Sequence, residues 1–219
     1  MKAHARLVAV LDDGRTVLRE LKSMAPLTLV PRRQRSSGAM VHLVNSATAP
    51  LGGDELRLEI RVGPGAELKL SGVAATLALP GLRAVPSLST VEIVVEDGGS
   101  FEYLPEPTVV TARADHVAVL RADLAADAWF HTREVLVLGR EGERPGRLSS
   151  TVHVTCGDVP ALRQTQTVGD PALDASLAVL AGHRVLVTEI EFGGPPRGGG
   201  GGAGGGGGPP PPGGAPGHA

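Results

Sequence analysis

Leu51-Gly52-Gly53-Asp54-Glu55-Leu56-Arg57-Leu58-Glu59-Ile60-Arg61-Val62-Gly63-Pro64-Gly65-Ala66 joins a glycine turn, an alternating strand and a second turn. Leu56, Leu58, Ile60 and Val62 share one face of an extended chain, while Glu55, Arg57, Glu59 and Arg61 alternate in sign along the other. A strand with one dry and one wet face needs neighbours of its own kind to cover the dry side.

Such neighbours are present on both sides. Alternating or continuous apolar runs rich in β-branched residues occur at 40–44, 66–70, 91–95, 101–104, 109–110, 117–120, 134–138, 152–156 and 184–192. Gly63-Pro64-Gly65, Asp97-Gly98-Gly99 and Gly157-Asp158 punctuate them. The fold class this predicts is all-β, with one or two short helices. Asp170-Pro171 followed by Ala172 to Ala181 and Gly182 supplies an N-cap, a proline in the first turn, Asp174 and a glycine stop, which predicts one such helix. Residues 74–79 and 122–128 are alanine-rich, but their context assigns them to strand or loop.

Aligning the turns exposes a loose repeat of strand, tight turn and second short strand: 55–62, 63–65 and 66–70; then 90–95, 96–99 and 100–104; then 116–120, 125–127 and 128–132. Units spaced at roughly thirty residues, each with one apolar face, must stack to bury it. A β-helix-like or stacked-sheet scaffold meets that requirement. Phe101 and Tyr103 follow the second turn, Trp129 and Phe130 the third, and Phe192 stands apart. Aromatic residues at matching positions of adjacent units are expected to form one packed cluster.

Of 219 residues 42% are hydrophobic, enough for one substantial core, which is assigned to residues 1–192. From Gly193 onward the chain is almost wholly Gly and Pro; a segment without apolar side chains cannot offset the entropy of ordering, so 193–219 is expected to be a disordered tail. A net charge of -2 gives no electrostatic reason to expect nucleic acid. The basic cluster Arg32, Arg33 and Arg35 beside Pro31 and Ser36-Ser37 reads as a solvated loop. One cysteine, Cys156, excludes an internal disulfide and fits a reducing compartment; with no apolar signal core and no membrane-length run, a cytoplasmic location is expected.

No catalytic constellation emerges. The seven histidines (His4, His42, His116, His131, His153, His183 and His218) include no i, i+4 helical pair and no His-x-His on a strand, and they read as structural. There is no Gly-x-Ser-x-Gly elbow and no phosphate loop. Cys156 falls on a Val152-x-Val154-x-Cys156 face and is expected to be a small buried hydrophobe. The carboxylates Asp54, Glu106, Glu134 and Glu143 sit at turns or strand ends, where acids bind or relay divalent cations or else cap turns and pair with arginine. On a β-solenoid, Asp54, Glu106 and Glu134 would equally serve as the acids of a hydrolase, and a β-rich binding module is a third reading.

The Gly-Gly-Asp turn with its alternating strand and Gly-Pro-Gly-Ala turn resembles the UreD (UreH) family of urease accessory proteins, in the actinobacterial form. Ala39-Met40-Val41-His42-Leu43-Val44-Asn45-Ser46, Ala74-Ala75-Thr76, Tyr103-Leu104-Pro105-Glu106-Pro107-Thr108-Val109 and Arg133-Glu134-Val135-Leu136-Val137-Leu138-Gly139-Arg140-Glu141-Gly142-Glu143 extend the resemblance in order across 16–192. It implies a β-stranded, β-helix-like scaffold with no enzymatic activity and no stably bound cofactor. Its implied partners are apo-urease and the mainly helical UreF, which docks the GTPase UreG. The family is thought to provide a passage for nickel in transit; the candidate passage acids here are Asp54 and Glu134, then Glu106 and Glu143. Two departures stand out: Ser71-Gly72-Val73 replaces a Thr-Thr-Gln-like run, and the Gly/Pro tail replaces an apolar C-terminal segment.

Overall fold

The structure is a computed structural model that describes residues 1–82 and 84–194; most of the segment expected to be a disordered tail lies outside the described residues. Its strands are β1 (Lys2–Asp12), β2 (Arg15–Lys22), β3 (Leu27–Arg32), β4 (Ala39–Asn45), β5 (Glu55–Val62), β6 (Glu67–Gly72), β7 (Thr76–Ala78) and β8 (Ser87–Val95). They continue as β9 (Ser100–Leu104), β10 (Thr108–Val110), β11 (Asp115–Leu124), β12 (Trp129–Leu138), β13 (Arg147–Cys156) and β14 (Val159–Val168), then a single helical turn α1 (Pro171–Asp174) and β15 (Val185–Phe192).

The strands form two sheets, and the expected repeat is visible in their pairing. One sheet runs β14-β13-β11-β8-β5-β1-β2; the other runs β3-β4-β6-β9-β12-β10-β7, with β15 on β12. The three repeat units place β5, β8 and β11 side by side in parallel register, and β6, β9 and β12 likewise opposite them. Leu58, Val91, Leu120 and Val152 thereby form one ladder in the first sheet. Leu68, Phe101, Phe130 and Phe192 form another in the second. In each repeat unit the chain crosses from one sheet to the other at the tight turn, β5 to β6, β8 to β9 and β11 to β12, which makes this a β-solenoid. Antiparallel strands close the stack: β2 on β1 and β3 on β4 at one end, β14 on β13 and β15 on β12 at the other.

The wet face of β5 is as the pattern predicts. Arg57 reaches Glu92 at 2.6 Å and Glu59 at 2.8 Å, Lys2 reaches Glu55 at 2.8 Å, and Arg61 pairs with Glu96. These exposed pairs contribute little stability each, but they favour the observed register.

Several expectations need correction. The helix predicted over 171–181 is one turn, Pro171–Asp174, capped by the Asp170 carboxylate, which accepts from the Ala172 and Leu173 amides. The cap is sound, but the following residues have no apolar stripe to bury: Leu177 is 91% exposed and only Leu180 is buried, so packing does not extend the helix. Trp129 is not in the aromatic cluster. Adjacent residues on a strand face opposite ways, so Phe130 packs inward on Phe101 while Trp129 lies outside, stacked on His131 and donating to Glu191 at 3.0 Å. Cys156 is half-buried at the end of β13 rather than inside the core. Four strands, β1, β2, β3 and β14, lie where no strand was expected, and the 74–79 segment assigned to strand or loop carries the short strand β7.

Candidate functional site

Along β12 the inward side chains run Phe130, Thr132, Glu134, Leu136 and Leu138. Phe130 belongs to one apolar cluster of the core, Leu136 and Leu138 to a second. On β13 the order is Val154, Val152, Ser150 and Leu148, with Val154 in the first cluster and Leu148 in the second. A polar seam therefore crosses the interior between the two clusters, with Glu134 on one sheet and Ser150 on the other.

The strand connections explain why that seam is hollow. Register pairs β6 with β9 as far as Ser71↔Leu104 and β7 with β10 from Thr76↔Thr108, so 73–75 and 105–107 each interrupt a rung that β12 crosses without a break. The first begins after Gly72, the last residue of β6, and the second is Pro105-Glu106-Pro107, where proline cannot donate to a strand ladder. At Gly72 an added Cβ would fall 2.5 Å from the Glu106 amide nitrogen, so the two interruptions nest only because that position is glycine. Opposite them, the aligned residues Ser89, Ala118 and Ser150 are all small. The result is a cavity of about 170 Å³, room for several water molecules, between the sheets.

Its polar lining includes Tyr103, Glu106, His116, Thr132, Glu134 and Ser150. Ser150 Oγ lies 2.8 and 3.0 Å from the two carboxylate oxygens of Glu134 and donates to that group. Burial pushes the Glu134 carboxyl above the ordinary carboxylate range, and the Ser150 hydrogen bond only partly opposes it. Burial, followed by the Glu134 charge, raises the Tyr103 hydroxyl well above its ordinary value, so it stays protonated. His116, 4% exposed, is lowered to about 4 by burial and is a neutral imidazole at neutral pH. Its Nδ1 lies 2.8 Å from Ser87 Oγ.

The structure brings together two of the four carboxylates read from the sequence. Glu134 lies in the cavity lining, and Glu106, exposed but also in the lining, marks where the cavity meets the surface. Asp54 is not in the lining: buried at 4% exposure, it takes the Leu51 amide at 2.8 Å and pairs with the N-terminal ammonium. Asp54→Ala is expected to lower the unfolding free energy by about 1–3 kcal/mol, because those donors lose their acceptor; denaturant titration checks this. Glu143 closes a surface turn by accepting from the Arg140 amide at 3.0 Å and from its guanidinium at 2.8 and 3.0 Å, contacts that lower its carboxyl to about 2. Among the described residues no three His, Cys, Asp or Glu side chains converge to hold a metal ion. Sequence reasoning passed over His116, Ser87 and Ser150. The available signal was a polar residue at an inward position of an otherwise apolar alternation.

The fold and this interior define a class: a two-sheet β-solenoid whose core is split by an oxygen- and imidazole-lined cavity opening beside an exposed glutamate. The family model for the UreD urease accessory protein matches residues 1–196. The chain is 54% identical over 194 residues to urease accessory protein UreD 1 of Saccharopolyspora erythraea, covering 86% of this chain and 76% of that protein. It is 38% identical over 191 residues to urease accessory protein UreD of Streptomyces coelicolor, covering 85% and 74%. Against urease accessory protein UreD of Frankia casuarinae the identity is 43% over 157 residues, and the chain covers about half (49%) of that protein's length. The chain belongs to the UreD family of urease accessory proteins. Among the described residues no helix is long and apolar enough to cross a membrane.

Proposed function

We propose that this chain is a non-enzymatic factor of urease maturation in the cytoplasm, a scaffold that links apo-urease to UreF and, through UreF, to UreG. In this reading its interior cavity is part of the route taken by nickel. The observation that carries it is the placement of Glu134: a carboxylate held by Ser150 inside a hollow between two sheets, with Glu106 at the surface end of the same hollow. A dication crossing a protein interior needs oxygen donors to replace part of its water, and carboxylate, hydroxyl and water oxygens supply them. The ion is cargo, so a few donors of moderate strength suit the task better than a closed cage.

Glu134→Gln tests the passage without changing side-chain volume. It is expected to leave co-purification with apo-urease and UreF intact while cutting the nickel content of matured urease several-fold. Normal nickel content in urease matured with that variant would remove Glu134 from the route; loss of co-purification would reassign it to assembly.

A further inference from the structure

We propose that the open edge of β15 is a docking site for an extended segment of a partner protein, added to the second sheet as a further antiparallel strand. The segment it fits carries two basic and two aliphatic residues along its outward face. Nothing in this depends on a nickel route through the cavity. β15 is the last strand of its sheet and pairs with β12 alone. The Leu138 amide donates to the Arg184 carbonyl at 2.8 Å, and the antiparallel register runs on to Phe130↔Phe192 without a shift. In an antiparallel pair, residues alternately turn both backbone groups to the partner strand and both away. Leu186, Thr188, Ile190 and Phe192 therefore bond to β12, whereas Val185, Val187, Glu189 and Glu191 present their amides and carbonyls to the open side. Those groups have no partner among the described residues.

The other edges are protected and this one is not. β14 carries Pro160 and a register shift against β13, β2 has a register shift against β1, β3 contains Pro31, and β7 has only three residues. Prolines, bulges and shortness keep edge strands from pairing. β15 runs for eight residues with none of them. Its side chains specify the occupant. On the outer face Leu77, Val109, Val137 and Val185 form one row across four strands, and Val187 adjoins Val135. Val185 and Val187 are each 54% exposed, so the apolar rows stop uncovered at the edge. Glu189 and Glu191 continue the strand. Each has one carboxylate oxygen engaged, by His131 at 2.8 Å and by Trp129 at 3.0 Å, and the other without a partner among the described residues. Aliphatic residues opposite the valines and lysine or arginine opposite the glutamates complete both halves. A second copy of β15 does not. The antiparallel registers that pair most of the strand, centred on Thr188 or Glu189, set valine opposite glutamate or glutamate opposite itself.

The test uses the full chain and the peptide Lys-Thr-Lys-Thr-Val-Thr-Val-Thr, whose lysines meet Glu191 and Glu189 and whose valines meet Val187 and Val185 when it runs antiparallel. Trp129, the single tryptophan, reports binding through its hydrogen bond to Glu191. A saturable change in its emission is expected, with slowed hydrogen exchange at the amides of Val185, Val187, Glu189 and Glu191, which exchange fast in the chain alone. N-methylation of the two peptide valines, which removes amides facing β15, is expected to abolish binding. Exchanging the peptide's lysines for glutamate is expected to weaken binding about tenfold, and the double variant Glu189→Lys, Glu191→Lys to reverse that preference, read by hydrogen exchange. A misfolded variant would lose both peptides rather than swap them, and the peptide comparisons on the native chain then decide. Absence of binding, binding that survives N-methylation, or binding indifferent to the lysine-to-glutamate exchange overturns strand addition at this edge. Slow exchange of the four amides in the chain alone overturns it too: with a dimeric mass the occupant is a second copy, and with a monomeric mass the chain's own residues cover the edge.

Discussion

Phe130→Ala is expected to lower the unfolding free energy by about 3–5 kcal/mol, the usual cost of emptying a large buried aromatic site. Phe130 has no exposed surface and stacks on Phe101 with ring centroids 6.0 Å apart. It also stands in the ladder Leu68, Phe101, Phe130, Phe192 that joins three successive parallel rungs to the closing antiparallel strand β15. Backbone register fixes the rungs against each other, so the core has little freedom to collapse into the space left behind. A domain is typically stable by only about 5–15 kcal/mol, so this loss is a large share of the total. Trp129→Ala, one residue away on the outer face, removes a larger side chain but is expected to cost much less. Equal shifts of the denaturant midpoint for the two variants would show that the inward ladder is not what holds the rungs together.

Acidification supplies the second large effect. Between pH 6.5 and about 4 the metal-free chain is expected to lose about 3 kcal/mol of stability through His116, at about 1.4 kcal/mol per pH unit. The native imidazole, lowered to about 4, stays neutral in this window while the unfolded one takes up a proton, so falling pH favours unfolding; below about 4 both forms are protonated and the loss is complete. Glu134 acts with the opposite sign. Its native carboxyl is raised, so above the ordinary carboxylate value the native state holds a proton that the unfolded chain has released, and stability falls as pH rises through that window. Glu134→Gln should therefore steepen the acid loss, and His116→Gln should flatten it. Unfolding free energies measured from pH 7 to 4 decide both; identical slopes for native chain and His116→Gln would remove His116 as the cause.

The parts of the fold legible in the sequence are those where one strand face is wet and the other dry. Glu55–Val62 has the bounds its alternation predicts, because a one-residue slip would expose Leu56, Leu58, Ile60 and Val62 together. Of the strands that escaped notice, β14 lacks that contrast: its exposed edge reads Val-Pro-Ala-Leu-Arg-Gln-Thr-Gln-Thr-Val, too polar to be told from a loop. β1 has the contrast, with Ala3, Ala5, Leu7 and Ala9 buried, but its dry face is mostly alanine, too weakly apolar to stand out until parallel pairing with β5 places it in the sheet. The short helix shows the converse limit. Asp170 and Pro171 specify where it starts, but its length depends on a neighbour to pack against, and the residues after Asp174 find none.

The candidate site divides along the same line. Glu134 and Glu106 were visible because acids beside proline or at the head of an apolar strand are locally conspicuous. Asp54 and Glu143 were equally conspicuous, and only the folded chain separates them: Asp54 meets the N-terminal ammonium and Glu143 meets Arg140, while Glu134 meets a cavity. What the sequence by itself determined is the class of structure, the repeat and the family, since these are written in side-chain alternation, turn residues and short motifs that need no distant partner. What only the tertiary structure decided is the interior. Where the breaks after Gly72 and at Pro105-Glu106-Pro107 interrupt two rungs, where Ser89, Ala118 and Ser150 leave space opposite, and how Ser87 meets His116 all depend on residues far apart in the chain that parallel register brings side by side.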